Sequence, residues 1–157
     1  MNLLTHGDDP VLTAPDRSTK YRASAIAATD PRPRHLLGIW AHPDDEAYLS
    51  AALMARTVEE GGQVTLVALT DGEAGFPDDD PRPAGERAQQ RRRELTRAMA
   101  LIGVTDLRFI SLPDGAVAEH GGETLVDTLR TIMRAVEPDV IVTFGPDGIT
   151  GHEDHVH

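Results

Sequence analysis

From His35 onward the chain alternates short apolar runs with stretches whose apolar residues recur every three or four positions. Leu36-Leu37-Gly38-Ile39-Trp40, Val64 to Leu69, Leu107 to Ile110 and Val140 to Phe144 are short, mostly apolar runs of the kind that fill a parallel strand buried on both faces. Between them lie helical patterns. Glu46 to Glu60 places Ala47, Ala51, Met54 and Val58 on one face before Gly61-Gly62. The next helix, from about Glu86 to Leu101, does so with Leu95, Ala98, Met99 and Ile102 and closes at Gly103. Glu123 to Glu137 turns Leu125, Leu129, Ile132, Met133 and Val136 inward. Asp71 to Gly85, dense in Gly, Pro and Asp, reads as a long functional or mobile loop, and Leu112-Pro113-Asp114-Gly115 as a turn. Met1 to Arg34 follows neither period and ends in Asp30-Pro31-Arg32-Pro33-Arg34, so residues 1–34 read as an irregular extension ahead of an α/β domain over 35–157.

The order β-α-β-α-β-α-β predicts a Rossmann-like, three-layer α/β/α fold with a mainly parallel sheet and right-handed crossovers. If the first three strands wind 3-2-1 and the fourth returns beside the first, the sheet order is 3-2-1-4. The winding then reverses between strands one and four, and open α/β sheets bind ligands at the carboxyl ends of such strands.

The candidate chemistry falls at that address. Ala41-His42-Pro43-Asp44-Asp45-Glu46 follows strand one, and Gly151-His152-Glu153-Asp154-His155 follows strand four. A catalytic zinc takes three protein ligands from His, Asp and Glu and keeps one position open. His42, Asp45 and His155 could supply that set, leaving Asp44 for acid-base work and His152 for oxyanion stabilisation. Alone, His-Pro-Asp-Asp could equally be a capping turn, with Asp44 or Asp45 accepting from the first helical amides. Glu46 reads mainly as a first-turn helix residue. Thr70-Asp71-Gly72-Glu73 reads equally as a pocket wall or a plain turn. Asp78-Asp79-Asp80 reads as a solvated loop, and His6, His35 and His120 as unrelated to a metal.

Composition narrows the partners. With 157 residues, 39% hydrophobic and 26% charged, the chain suits one globular domain. It has no cysteine, which excludes disulfides, thiol nucleophiles and thiolate metal sites, so any metal must rest on His and carboxylate. A net charge of -11 argues against a nucleic-acid partner. Arg91-Arg92-Arg93, the one basic run, reads as a solvated helix face. No stretch reaches the roughly 20 apolar residues of a membrane span, and no signal-peptide core is present, so a cytoplasmic location is expected.

The two motifs together, with Arg91-Arg92-Arg93-Glu94-Leu95-Thr96-Arg97-Ala98 and Leu101-Ile102-Gly103 between them, resemble the LmbE/PIG-L family of metal-dependent N-deacetylases over roughly Leu36 to His155. The resemblance implies that His42, Asp45 and His155 bind zinc, that Asp44 is the general base, and that His152 stabilises the oxyanion. It implies further that Arg91 and Asp114 contact substrate hydroxyls; Asp154 would orient a neighbouring histidine. The implied substrate is a small N-acyl amino sugar or related amide, with iron(II) as the alternative to zinc.

Relatives in that family continue past the second motif, whereas this sequence stops two residues after His155. A chain lacking the C-terminal part of the fold is therefore expected, with an open sheet edge and apolar surface that favours self-association. Three rivals follow. A metal-binding but catalytically incomplete fragment or interaction module would hold zinc without turnover. A non-haem iron oxygenase would use the same two-His, one-carboxylate set, yet the extra Asp44 suits hydrolysis. A phosphoacceptor receiver domain leaves the histidines unexplained.

Overall fold

The strands fall on the apolar runs: β1 is His35–Trp40, β2 Gln63–Thr70, β3 Asp106–Leu112 and β4 Val140–Val142. In this computed structural model, which describes residues 34–156, they form one parallel sheet in the order β3-β2-β1-β4. The expected winding and its reversal between β1 and β4 are both present. The extension over 1–34 lies, apart from Arg34, outside the described residues, as do His6 and His157.

Alternation along the central strands divides the core in two. Leu36, Trp40, Val64, Leu66 and Ala68 face one side, where they meet Met54, Leu95 and Met99. Leu37, Ile39, Val67 and Leu69 face the other, against Val117 and the half-buried Leu125, Leu129, Ile132 and Met133. The first side is covered by α2 (Ala51–Glu59) and α3 (Ala84–Leu101), the second by α4 (Val117–His120) and α5 (Gly122–Val136). Helices thus cover both faces, as the three-layer prediction requires. Each fully buried Leu, Met or Val contributes about 1.5–3 kcal/mol relative to exposure. Gly103 closes α3 against α2: its φ is +79, and a Cβ there would lie 2.8 Å from Val58 Cγ1.

Several boundaries differ from the sequence expectation. The first helix is broken at Ser50 into α1 (Asp45–Leu49) and α2. Ser50 is buried, and both its N–H (2.9 Å) and its hydroxyl (3.3 Å) donate to the Glu46 carbonyl. The break reorients α1, so that Asp45 and Glu46 are its buried residues and Ala47 is exposed instead of inward. Ala98 is also exposed, because the buried residues of α3 are Leu95 and Met99, with Ile102 half-buried. β3 continues through Leu112, which was expected in the turn, and β4 stops at Val142, short of Phe144. Two short helices were not foreseen: α4, and α6 (Glu153–Val156), which carries most of the second motif.

Candidate active site

The turn after β1 is held by its own side chain. Asp45 Oδ2 accepts the His42 amide at 2.9 Å, so the carboxylate folds back beside the His42 ring. The turn after β2 braces it: Thr70 donates to the Ala41 carbonyl from both its amide and its hydroxyl, each at 2.9 Å. Gly72 then passes close to Pro43 and Arg91. Its φ is +68, and a Cβ would lie 2.9 Å from Pro43 Cδ and 3.1 Å from Arg91 Nε, so only glycine allows the approach. Of Thr70-Asp71-Gly72-Glu73, read equally as a pocket wall or a plain turn, Gly72 lines the cavity beside the cluster.

The expected ligand set converges. His42 Nδ1 lies 3.1 Å from His155 Nε2 and 3.6 Å from Asp45 Oδ2, and His155 Nε2 lies 3.5 Å from Asp45 Oδ1. His152 is close as well: the donor atoms of His42, His152 and His155 all fall within 4.8 Å of one another. His155 is further fixed by stacking on Phe144, with ring centroids 3.9 Å apart and planes 13° apart.

Hydrogen bonding assigns the tautomers. His42 Nε2 faces Asp114 Oδ1 at 3.0 Å and Asp154 Oδ2 at 3.1 Å, so it carries a proton and Nδ1 is turned to the cluster. His155 Nδ1 donates to the Gly148 carbonyl at 3.2 Å, leaving Nε2 a lone pair. His152 Nδ1 instead accepts the Asp154 amide at 3.2 Å, which puts the proton of its neutral ring on Nε2 and makes that atom a donor. Neutral His42 turns its Nδ1 lone pair toward that of His155 Nε2 at 3.1 Å, while charged His42 donates Nδ1–H across the same gap. The donor set of two imidazoles and a carboxylate fits zinc.

Carboxylates dominate the surroundings. Burial lowers the His42 pKa, but its bonds to Asp114, Asp45 and Asp154 outweigh burial and raise it to about 10. Burial raises the Asp114 pKa, and the His42 ring and the Ala74 amide overcome that, holding the carboxyl below its ordinary range. Asp154, 3% exposed, accepts the Val117 amide on Oδ1 at 3.0 Å and the Gly115 amide on Oδ2 at 2.8 Å, in addition to His42. α4 and the turn after β3 therefore anchor the second motif through a single carboxylate.

A cavity of about 210 Å³ opens beside the cluster, lined by His42, Asp44, Gly72, Ala74, Gly75, Arg91, Asp114 and His152. All four residues expected to act on substrate line it: Asp44, His152, Arg91 and Asp114. Arg91 Nη2 reaches Asp44 Oδ2 at 2.9 Å and also the Pro43 carbonyl. A larger hollow of about 680 Å³ lies along α4 and α5, from Val117 to Arg130, and holds none of the clustered residues. Chemistry, not volume, marks the site.

The alternative of a capping turn is not realised: Asp44 caps no helical amide, and Asp45 serves the His42 amide. Arg91 and Arg92 are not a solvated face, since Arg92 pairs with Asp71 at 2.6 Å and lies over the Phe109 ring at 4.5 Å. Sequence reasoning missed Glu46, which is 2% exposed, with Oε2 accepting the Asp44 amide at 3.1 Å; burial pushes its pKa up to about 7. It missed Glu73, whose Oε1 accepts the Asp114 amide at 3.0 Å while Asp114 Oδ2 accepts the Ala74 amide at 2.8 Å. The only available signal was proximity to the motifs, because a helical period hides an inward carboxylate.

The family model described as PIG-L, GlcNAc-PI de-N-acetylase, matches residues 37–157. A 1D-myo-inositol 2-acetamido-2-deoxy-alpha-D-glucopyranoside deacetylase from Kineococcus radiotolerans is 32% identical, over 97% of this chain and 52% of the relative. The enzyme of the same name from Streptomyces griseus is 39% identical over 78% and 45%. The chain thus spans about half the length of the curated relatives it matches. Among solved structures, the N,N'-diacetylchitobiose deacetylase of Pyrococcus horikoshii superposes with a TM-score of 0.71 at 27% identity, over 79% of this chain and 46% of that one. A 4-carboxy-2-hydroxymuconate hydratase from Pseudomonas putida, at 20% identity and a TM-score of 0.67, shares the fold alone, over 78% of this chain and 51% of that one.

Proposed function

The chain belongs to the GlcNAc-PI de-N-acetylase (PIG-L) family, and we propose that it is a metal-dependent hydrolase that removes an N-acetyl group from a glucosaminide or related amine. The observation that carries this reading is the convergence of His42 Nδ1, His155 Nε2 and Asp45 within 3.1 to 3.6 Å, beside a cavity lined by Asp44. His42, Asp45 and His155 would hold zinc, or iron(II) in its place. Bound there, the metal supplies the Lewis acidity that acidifies water and polarises an amide carbonyl.

The chain's own groups do the rest. Asp44 takes a proton from the attacking water and passes it to the amine nitrogen as the carbon–nitrogen bond breaks, giving acetate and the free amine. His152 Nε2–H donates to the carbonyl oxygen as negative charge develops there. Asp154 and Asp114 hold the His42 ring in the tautomer that turns Nδ1 to the metal. Arg91 and Asp114 line the cavity with a donor and an acceptor suited to sugar hydroxyls. Among the described residues no helix is long and apolar enough to cross a membrane.

The test is metal content by elemental analysis together with amine release from N-acetylglucosamine derivatives, on the wild-type chain and on a His42→Ala, His155→Ala variant. About one equivalent of zinc, lost in the variant, with amine released by the wild type alone, is the expected result. An unchanged metal content in the variant would overturn the ligand assignment. Zinc without turnover would instead mark a zinc-binding module.

A further inference from the structure

We propose that Glu46 is a positioning residue that holds the backbone of Asp44 in a strained conformation and so frees the Asp44 carboxylate for the cavity. The catalytic consequence rests on the deacetylase reading above; the clamp itself does not.

Asp44 has φ 152 and ψ -23, a region that residues with a Cβ seldom occupy. It is the residue that precedes α1, where an aspartate ordinarily spends its carboxylate on helical amides. Here it makes no such bond. Its carboxylate points instead to Arg91 Nη2, at 2.9 Å, on the cavity wall.

Glu46 holds this residue from the other side. Its side chain turns back and Oε2 accepts the Asp44 amide at 3.1 Å, two residues away along the chain. Glu46 is fixed at the other end too, since its carbonyl takes both the amide and the hydroxyl of Ser50. The break between α1 and α2 and the strain at Asp44 are therefore two ends of one arrangement. A carboxylate that is 2% exposed loses most of its hydration. A chain that only needed to start a helix would let Asp44 cap it and would place an apolar side chain at position 46.

The test uses the full chain loaded with zinc. Glu46→Gln keeps an acceptor of the same reach, so it should retain kcat to within about threefold, whereas Glu46→Met, similar in length without the acceptor, should lose kcat on the order of 10²-fold at unchanged KM and zinc content. Hydrogen exchange at the Asp44 amide is read on the same samples: protection persists in Glu46→Gln and falls at least about tenfold in Glu46→Met. Wild-type turnover and protection in Glu46→Met would overturn the clamp. Should that variant not fold, Glu46→Asp keeps the charge but falls one methylene short, and it must show the same losses; wild-type behaviour there overturns the proposal equally. If zinc-loaded wild type releases no amine, the deacetylase reading has failed, and amide exchange still decides the clamp.

Discussion

The two ends of the sheet carry the same residue types and do opposite things with them. At the amino ends of the strands, His35 Nε2 donates to Thr65 Oγ1 at 2.9 Å, Thr65 donates to Asp106 Oδ2 at 2.8 Å, and Arg108 closes the chain on Asp106 at 2.9 Å. The amides of Arg34 and His35 both donate to Asp139 Oδ2 at 2.8 Å. Each of these donors meets an acceptor, and charge meets counter-charge. At the carboxyl ends, one imidazole faces three carboxylates and a second imidazole, and a neighbouring carboxylate rests on a strained backbone. Hollow size does not separate the ends, at about 240 Å³ and about 210 Å³. The presence of His and Asp is a poor signal of function; their convergence beside a cavity is a good one, because strongly perturbed titratable groups gather where chemistry is done.

At the carboxyl end, the substitution with the largest effect is at Asp44. Asp44→Ala should lower kcat by about 10²–10⁴-fold with zinc content unchanged, measured by amine release beside elemental analysis. Full activity in that variant removes the base. One step smaller is Asp154→Ala, which should weaken zinc binding about 10–100-fold in a competitive chelator titration, while Asp106→Ala leaves zinc affinity where it was. Equal effects from the two aspartates would erase the distinction between the ends.

Proton linkage sharpens the contrast further. With its pKa raised to about 10, metal-free His42 is charged at neutral pH, yet it must be neutral to coordinate. Zinc uptake at pH 7 should therefore release about one proton, read by calorimetry in buffers of different ionisation enthalpy, and affinity should fall as pH falls. The sign for folding is the reverse. In the metal-free chain, stability from the His42 contacts is fully present below its ordinary value of 6.5 and is lost as pH rises through about 10.

The smallest effect belongs to the amino end. Arg108 holds the Asp106 carboxyl below its ordinary value of 3.8, so that pair contributes stability above that value and loses it as pH falls. Both side chains are substantially exposed, at 43% and 35%, and Asp106→Ala should cost only about 0–1 kcal/mol in thermal unfolding with turnover intact.

Much of the fold was legible because parallel strands buried on both faces must be mostly apolar, as Val64 to Leu69 is apart from Thr65. What stayed hidden was every place where the chain departs from its period. A continuous helix over 46–60 and a helix broken at Ser50 share nearly the same pattern, yet they send Ala47 and Glu46 in opposite directions. Arg91-Arg92-Arg93 read as one solvated run, since sequence carries no sign of the Asp44, Asp71 and Phe109 that draw two of the three inward.

Strand order, the two motifs and the crevice they share could be anticipated from the chain, because each rests on local residue identity or on the handedness of short connections. Which nitrogen of each histidine faces the cluster, the tie from Asp154 to the turn after β3, and the bond from the Asp44 amide to Glu46 are products of packing. Those outcomes depend on atoms brought within about 3 Å by the packed fold, and separation along the chain says nothing about such distances.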